Sequence, residues 1–248
     1  MLEFFENNKT VQAHEADFNN RLRLDSLFIY LQDTAAAHAD KLDLGYTALI
    51  KYNYGWVLTW TNVEISSLPG FGEEIRIKTW PKKKYKLYSL RDFLVYNTKE
   101  EIIIKASTAW LPINITSKRI IDTSNLPAPI NYQEKESALP SLPGKISEMK
   151  SREFLFSRQM RYTDIDLNQH VNNIKYIEMI MDCFTKEQHE QLMVRNISVN
   201  FVSELQYNDT IEVFKSPDTT EKSHTIEGLN KSTSKIIFQA SVGFSDKA

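Results

Sequence analysis

Hydrogen-bonding side chains gather in one short segment, "RYTDIDLNQHVNNIKYIEMI", which spans residues 161–180. Asp166, Asn168 and His170 alternate along it, and side chains two residues apart point the same way in an extended segment. A carboxylate, an amide and an imidazole on one side can orient a water molecule, take its proton and stabilise an oxyanion. The spacing alone is equally compatible with an active site and with ordinary polar loop residues, so both interpretations stay open at this point.

A helix start follows the cluster directly. Apolar residues then recur at helical spacing and predict a helix from about residue 172 to residue 187. Asn172 or Asn173 suits the N-cap, whose side-chain oxygen accepts a hydrogen bond from a backbone N–H group. Backbone N–H groups at a helix start carry partial positive charge, so Val171, Asn172 and Asn173 form a candidate oxyanion site.

The elements that must position this cluster occur in two similar halves. Four of the eight prolines lie between Pro127 and Pro143, which predicts a linker over residues 127–150 between domains at 1–126 and 151–248. Each half shows a strand, a helix and four further strands, so we expect an α+β fold in which an antiparallel sheet wraps around one long helix. The predicted first-half elements are residues 10–16, 24–45, 55–65, 73–80, 86–97 and 101–113. The predicted second-half elements are residues 156–162, 172–187, 196–205, 210–215, 223–229 and 234–244.

The two halves can be superposed through their weak sequence similarity. One ungapped superposition places Asp17 on Asp164, and another places Glu64 on Glu204. The positions that then match the polar cluster hold Asn19, Arg21 and Arg23. A duplicated fold would need a purely structural cluster twice, so this difference favours chemistry in the second half alone.

The same segment carries a family resemblance. "DIDLNQHVNNIKYIE" resembles the D-x-N-x-H-V-N-N signature of acyl-acyl carrier protein thioesterases of the plant and bacterial fatty-acid type. In the first half "LQDTAAAHA", "GWVLTW", "GEEIRIKTWP", "YSLRDFLV" and "ASTAWLPIN" are similar to that family's N-terminal half. The resemblance implies two hotdog folds in tandem, each an antiparallel sheet curled around a central helix.

The resemblance also implies a catalytic network of Asp166, Asn168, His170 and Glu204. We expect Glu204 to be the general base or the group that orients it, and His170 to position a water molecule and move its proton. Asn168 would hold the thioester carbonyl or the water. Asp166 would fix the orientation of its neighbours.

A cysteine nucleophile is not expected. Leu205 stands where members of the family carry a cysteine that has been assigned that role. The single cysteine, Cys183, falls within the predicted helix beyond the motif, where a small apolar core residue is the simpler interpretation.

Substrate contacts are expected in the first half by analogy with the family. Candidates to line an acyl-chain site, each of which could equally be an ordinary core residue, are Trp56, Leu58, Trp60 and Phe93. Candidates to dock an acidic acyl carrier protein, bearing the acyl chain on its 4′-phosphopantetheine, or else to form a solvated turn, are Lys82, Lys83, Lys84 and Lys86.

Composition excludes several other classes of function. The formal net charge is −2, which gives no indication of nucleic-acid binding. No apolar run approaches the roughly 20 residues of a membrane helix, and no signal peptide precedes the first strand, so a cytoplasmic protein is expected. We expect neither cofactor nor metal, because the histidines lack neighbours at ligand spacing. A homodimer is compatible with these features.

The expected function is therefore release of free fatty acid from acyl-acyl carrier protein in fatty acid biosynthesis. An acyl-CoA thioesterase would use the same apparatus on another pantetheine carrier. A hotdog hydratase or dehydratase fits the spacing poorly. A non-catalytic acyl-binding protein would have no use for a water-activating set of residues.

Overall fold

The computed structural model describes residues 3–217 and 222–246 and separates into two compact units, Met1–Pro143 and Gly144–Ala248. The division falls inside the segment predicted as a linker. Both units combine helices with an antiparallel sheet, as the α+β prediction requires.

The first unit places one long helix on a five-stranded sheet. Its antiparallel strand order is β1-β3-β4-β5-β2. Leu27, Phe28 and Leu31 are almost fully buried on α1, as the apolar stripe of an amphipathic helix should be. The elements are β1 (Phe5–Thr10), α1 (Leu24–Lys41), α2 (Tyr46–Leu49), β2 (Tyr54–Ile65), β3 (Glu74–Tyr85), β4 (Tyr88–Tyr96) and β5 (Ile102–Asn114).

The second unit repeats the architecture with a shorter helix. The elements are β6 (Glu153–Gln159), α3 (Asn173–Met181), α4 (Lys186–Gln191), β7 (Leu192–Phe201), β8 (Thr210–Lys215), β9 (Ser223–Asn230) and β10 (Ile236–Asp246). Their antiparallel order is β6-β8-β9-β10-β7, which is the order of the first unit strand for strand. The predicted repeat of a strand, a helix and four strands is confirmed.

Several predicted elements differ from the observed ones, among them the first strand and the second helix. The first strand is Phe5–Thr10 rather than residues 10–16, because the polar run "FENNKT" gains its backbone hydrogen bonds by pairing with β3 at the sheet edge. The second helix ends at Met181 rather than residue 187. A new helix, α4, then begins after Thr185, whose hydroxyl accepts the Gln188 N–H in a capping box.

Part of the proline-rich segment forms a strap, residues 127–143, that packs on the first unit. The Ala138 N–H donates to Asp92 Oδ2 at 2.7 Å, and the Gln133 N–H donates to the Pro81 carbonyl at 2.9 Å. Asp92 is fully buried on β4 and also contacts Lys82. The strap therefore packs on the sheet face that carries Asp92, opposite the face on which Phe93 lies beside α1.

Candidate active site

The polar cluster of the second unit lies in a tight turn and not in an extended segment. The Asp166 N–H donates to the His170 carbonyl at 2.9 Å, and Asp166 Oδ1 accepts the Asn168 N–H at 2.8 Å. Gln169 has a φ of +64°. Asp and Asn favour such turns because their side chains bond the backbone two residues on. The prediction of an extended segment was wrong.

The first unit contains the same turn. The Asp17 N–H donates to the Arg21 carbonyl at 2.8 Å, and Asp17 Oδ1 accepts the Asn19 N–H at 2.8 Å. Asn20 takes the left-handed conformation, with a φ of +57°. Asp17 is therefore the counterpart of Asp166, and the predicted superposition of Asp17 on Asp164 was out of register.

In the observed register, fewer residues of the cluster distinguish the two units. Both units have an aspartate and an asparagine at the same positions of the turn. The presence of Asp166 and Asn168 is therefore explained by the turn alone, without a catalytic role. The residue that differs is His170, whose counterpart is Arg21. Arg21 bonds back to Asp17 at 3.2 Å within its own turn, whereas His170 contacts another segment of the chain.

That contact joins His170 to Glu204. His170 Nε2 lies 3.1 Å from Glu204 Oε2, and the two side chains are 20% and 48% exposed. The Val171 N–H donates to the Leu205 carbonyl at 2.9 Å, so the residues that follow His170 and Glu204 are bonded to each other. An imidazole and a carboxylate that reach solvent side by side can share a water molecule and its proton.

The first unit lacks this pair at the matching positions. There the Leu22 N–H donates to the Pro69 carbonyl at 2.8 Å, in the geometry that Val171 and Leu205 adopt in the second unit. The counterpart of Glu204 is thus Leu68, and the predicted match with Glu64 was wrong.

A buried tyrosine makes a further hydrogen bond to the backbone next to Glu204. The Tyr176 hydroxyl accepts the Leu205 N–H at 3.4 Å, which is the N–H of the peptide that begins at Glu204. Burial raises the pKa of Tyr176, and nearby Glu204 adds to the shift, so the phenol stays neutral. In the first unit Pro69 offers no N–H, and Leu27 offers no hydroxyl. The one signal for Tyr176 in the sequence is a hydroxyl group on an otherwise apolar helix face.

The helix start supplies fewer free donors than predicted. Asn172 is the N-cap, and its Oδ1 accepts the Ile174 N–H at 3.0 Å, as expected. The N–H groups of Val171 and Asn172 both donate to backbone carbonyls at 2.9 Å. These two N–H groups hold the backbone together, so their assignment to the oxyanion site was wrong. The N–H group of Asn173, at the first helical position, remains a candidate.

Cys183 is unsuited to nucleophilic catalysis. Its Sγ donates to the Met179 carbonyl at 3.2 Å, and burial raises the pKa of the thiol to about 12. The reactive thiolate is therefore scarce near neutral pH. In the part of the chain that the structure describes, no group of three or more His, Cys, Asp or Glu side chains could hold a metal ion.

The four predicted acyl-chain residues lie in different places. Leu58 and Phe93 line a cleft between α1 and the sheet of the first unit. Trp56 donates its indole N–H to the Leu44 carbonyl at 3.0 Å, in a separate cluster. A β-bulge between Leu58 and Trp60 turns Trp60 to the opposite face of the sheet.

The lysine cluster is also divided by the structure. Lys82 is 4% exposed and contacts a buried carboxylate and the Leu139 carbonyl, so its proposed docking role was wrong. A β-bulge at this position of β3 turns the side chain inward. Lys84 is bonded to Asp122 at 2.7 Å. Lys86 is exposed in the turn that follows β3, and Lys83 is half-buried.

Two family descriptions match the chain. The acyl-ACP thioesterase N-terminal domain covers residues 3–125, and the acyl-ACP thioesterase C-terminal domain covers residues 147–245. The chain belongs to the acyl-ACP thioesterase family. The two matched regions correspond to the two units, and the C-terminal one contains the contact between His170 and Glu204.

Relatives of this acyl-ACP thioesterase family member include plant enzymes and solved structures. A chloroplastic palmitoyl-acyl carrier protein thioesterase of Gossypium hirsutum is 27% identical over 72% of this chain and 46% of the relative. A chloroplastic oleoyl-acyl carrier protein thioesterase of Coriandrum sativum is 23% identical over 85% and 62%. The chain thus spans about half the length of the curated relatives it matches.

Among solved structures, an acyl-ACP thioesterase from Bacteroides thetaiotaomicron has a TM-score of 0.90 and 25% identity over 98% of both chains. The 12:0-ACP thioesterase from Umbellularia californica has a TM-score of 0.82 at 17% identity, over 100% of this chain and 99% of that one. The second likeness concerns the fold. Among the described helices, none is long and apolar enough to cross a membrane.

Proposed function

We propose that this protein hydrolyses the thioester of acyl-acyl carrier protein and releases free fatty acid. The observation that carries the proposal is the 3.1 Å contact between His170 Nε2 and Glu204 Oε2. The first unit, which has the same turn, holds Arg21 and Leu68 instead. Family membership supplies the substrate class.

The chemistry follows from a water molecule held by this pair. His170 or Glu204 takes a proton from the water, whose oxygen attacks the thioester carbonyl carbon. The carbonyl oxygen becomes an oxyanion, for which the Asn168 amide and the Asn173 N–H are the candidate donors. Collapse of the intermediate breaks the carbon–sulfur bond, and the pantetheine thiolate receives the proton.

The two units divide the remaining tasks. We assign each unit to the hotdog fold, with the acyl chain bound in the first and hydrolysis carried out in the second. Leu58 and Phe93 support the first assignment, because both line the cleft beside α1. Lys83 and Lys86 are the cluster lysines left to dock an acidic carrier. We also propose that the protein acts on this carrier substrate in the cytoplasm.

A matched substrate panel tests the proposal. The protein is supplied with the same acyl chains on acyl carrier protein and on CoA, and thiol release and free fatty acid are measured. Hydrolysis with a higher kcat/KM for the carrier-bound chains is expected. Higher kcat/KM on CoA would indicate an acyl-CoA thioesterase, and acyl binding without any thiol release would indicate a binding protein.

A further inference from the structure

The second unit concentrates its exposed apolar side chains next to His170 and Glu204. The structure describes five exposed large hydrophobic residues in this unit, and four of them lie in residues 162–167 and 202–207. Single exposed apolar residues need no explanation, whereas a cluster of them marks a binding surface. The four residues, which we call the apolar rim, are Tyr162 (85% exposed), Leu167 (74%), Val202 (52%) and Tyr207 (57%).

Hydrogen bonds and one polar contact join the two segments that carry the apolar rim. The Asn208 N–H donates to the Met160 carbonyl at 3.1 Å, and the Met160 N–H donates to the Asp209 carbonyl at 2.8 Å. The contact of 3.1 Å between His170 and Glu204 joins the same two segments. The apolar rim therefore belongs to the part of the surface where hydrolysis is proposed.

Two rim residues have small or polar counterparts in the first unit. The Val202 and Ser66 N–H groups each donate at 2.8 Å to a carbonyl of the neighbouring strand, β10 and β5 respectively, so Ser66 corresponds to Val202. Tyr162 begins a one-turn 3-10 helix whose counterpart in the first unit begins at Ala13. Tyr162 and Val202 therefore accompany the catalytic pair, as the scaffold alone does not require them.

The other two rim residues have apolar counterparts. Leu167 and Phe18 each follow the aspartate of the Asx turn in their unit. Tyr207 and Phe71 each precede a residue with positive φ, +68° and +81° respectively. Phe18 and Phe71 are also exposed. An exposed apolar group at these two positions is thus common to both units and gives a matched pair for experiments.

The charges of the rim segments disfavour an acidic occupant. Residues 161–170 and 202–209 contain one arginine and four carboxylates. Asp164 is paired with Arg158 at 2.6 Å, which leaves three carboxylates against the one guanidinium. The body of an acidic carrier protein, or an anionic membrane, would be repelled by this surface.

The substrate contains a group of suitable chemistry. Between its phosphate and its sulfur, the pantetheine arm is uncharged and carries amide groups and a carbon with paired methyl groups. A tyrosine offers an apolar ring and a polar hydroxyl to such a chain. Because the thioester at the end of the arm is cleaved beside His170 and Glu204, the arm has to cross the adjoining surface.

We propose that the apolar rim binds the pantetheine arm of the substrate, with Tyr162 and Val202 as the contacts that are specific to the second unit. The proposal rests on the proposed function, because it assigns the surface that positions the substrate of that hydrolysis. The rim residues hold the arm and take no part in bond breaking. Since the arm is the same in acyl carrier protein and in CoA, the rim serves either carrier.

The test uses Tyr162→Ala/Val202→Ser, which gives these positions the residues of the first unit. Both side chains are exposed, so the fold should be retained. One acyl chain is supplied on pantetheine and on N-acetylcysteamine, which keeps the sulfur and one amide but lacks the methyl-bearing part of the arm. For the pantetheine thioester, kcat/KM should fall by about tenfold. The loss should appear in KM, with kcat retained, because the contact is equal in the ground and transition states. For the N-acetylcysteamine thioester, kcat/KM should not change.

Phe18→Ala/Phe71→Ser is the matched control, since it truncates the exposed apolar pair of the first unit. It should leave kcat/KM for both thioesters unchanged. The proposal is overturned if Tyr162→Ala/Val202→Ser retains the native kcat/KM for the pantetheine thioester. It is equally overturned if this variant loses as much on the N-acetylcysteamine thioester, as a purely structural role would cause, or if the control loses as much as the variant.

A binding measurement keeps this outcome separate from failure of the proposed function. The Kd of the native protein is compared for acyl carrier protein with and without its pantetheine arm. Tighter binding of the carrier that bears the arm, with a smaller difference in Tyr162→Ala/Val202→Ser, supports the rim even if no thioester is cleaved. Equal Kd values for the native protein contradict it even in an active thioesterase. Conversion of a dimer to a monomer by the two substitutions would assign the rim to a second copy of the chain and overturn the proposal.

Discussion

Asn168 and Asn19 occupy the same place in two copies of one turn, and each donates its backbone N–H to the turn aspartate at 2.8 Å. Asn168→Ala and Asn19→Ala therefore disturb the backbone equally. If the Asn168 amide stabilises the oxyanion, Asn168→Ala should lower kcat by about 10²-fold, the usual loss for one such donor. Asn19→Ala should leave kcat unchanged. Equal values of kcat for the two variants would mean that Asn168 has only a structural role in the turn.

Cys183 provides a second test at the scale of a single residue. Because its folded-state pKa is raised to about 12, its thiolate fraction at pH 8 is lower than that of an ordinary cysteine. Alkylation by iodoacetamide at pH 8 should be much slower in the native protein than in urea. Cys183→Ala should retain kcat. Fast alkylation of the native protein, together with loss of activity in Cys183→Ala, would indicate that the thiol takes part in catalysis.

The turn shows why residue types alone were misleading. "DFNNR" and "DIDLNQ" both contain the Asp-x-Asn pattern of an Asx turn, yet the second was interpreted as extended because its polar residues alternate. The chemical types of His170 and Glu204 were nevertheless predictable. The distance between the two side chains was not predictable, because the residues are far apart in the sequence and meet only in the folded chain.

At the scale of elements, helix α3 and the segment after β7 are joined by the Tyr176–Leu205 bond. Tyr176→Phe leaves the buried Leu205 N–H unpaired, which should cost about 1–3 kcal/mol of stability. If the bond also positions Glu204, kcat should fall and the pH profile of kcat/KM should shift while KM stays constant.

The double variant Tyr176→Phe/Leu205→Pro separates these two roles. It recreates the Leu27 and Pro69 arrangement of the first unit, which contains neither the N–H nor the hydroxyl. Urea unfolding should show that stability is partly recovered, whereas kcat stays low. Recovery of kcat together with stability would mean that Tyr176 only satisfies a buried N–H group.

The repeated strand order could be predicted because β-branched runs and turn residues mark each strand locally. The register between the two halves could not, since sequence identity is thin and the backbone hydrogen bonds decide it. Bulges caused two further errors. They turn Trp60 and Lys82 to the faces opposite those that a regular strand would give.

Recognition of the carrier depends on charges at the protein surface. Lys83→Glu/Lys86→Glu should raise KM for acyl carrier protein substrates, most strongly at low salt, because acidic carriers are attracted by surface charge. KM for the same acyl chain on a short pantetheine should not change. Lys99→Glu/Lys118→Glu is a control with the same total charge change on two other exposed lysines. A KM that is unaffected by salt and by the Lys83/Lys86 substitutions would remove these lysines from docking.

The repeated architecture allows one unit to carry catalytic residues while the other keeps only the shared scaffold. Both units have the same strand order and the same Asx turn, so the turn is part of the scaffold. Replacement of Arg21 and Leu68 by His170 and Glu204 at matching positions distinguishes the second unit. We therefore assign hydrolysis to that pair.

The most direct test is the single-turnover rate of thioester cleavage in His170→Ala, Glu204→Gln and the double variant. Each single substitution should lower the rate by about 10²-fold or more, with the fold retained. The double variant should be little slower than either one, because the two groups act on one water molecule. Near-normal rates in both single variants would contradict the assignment of hydrolysis to His170 and Glu204.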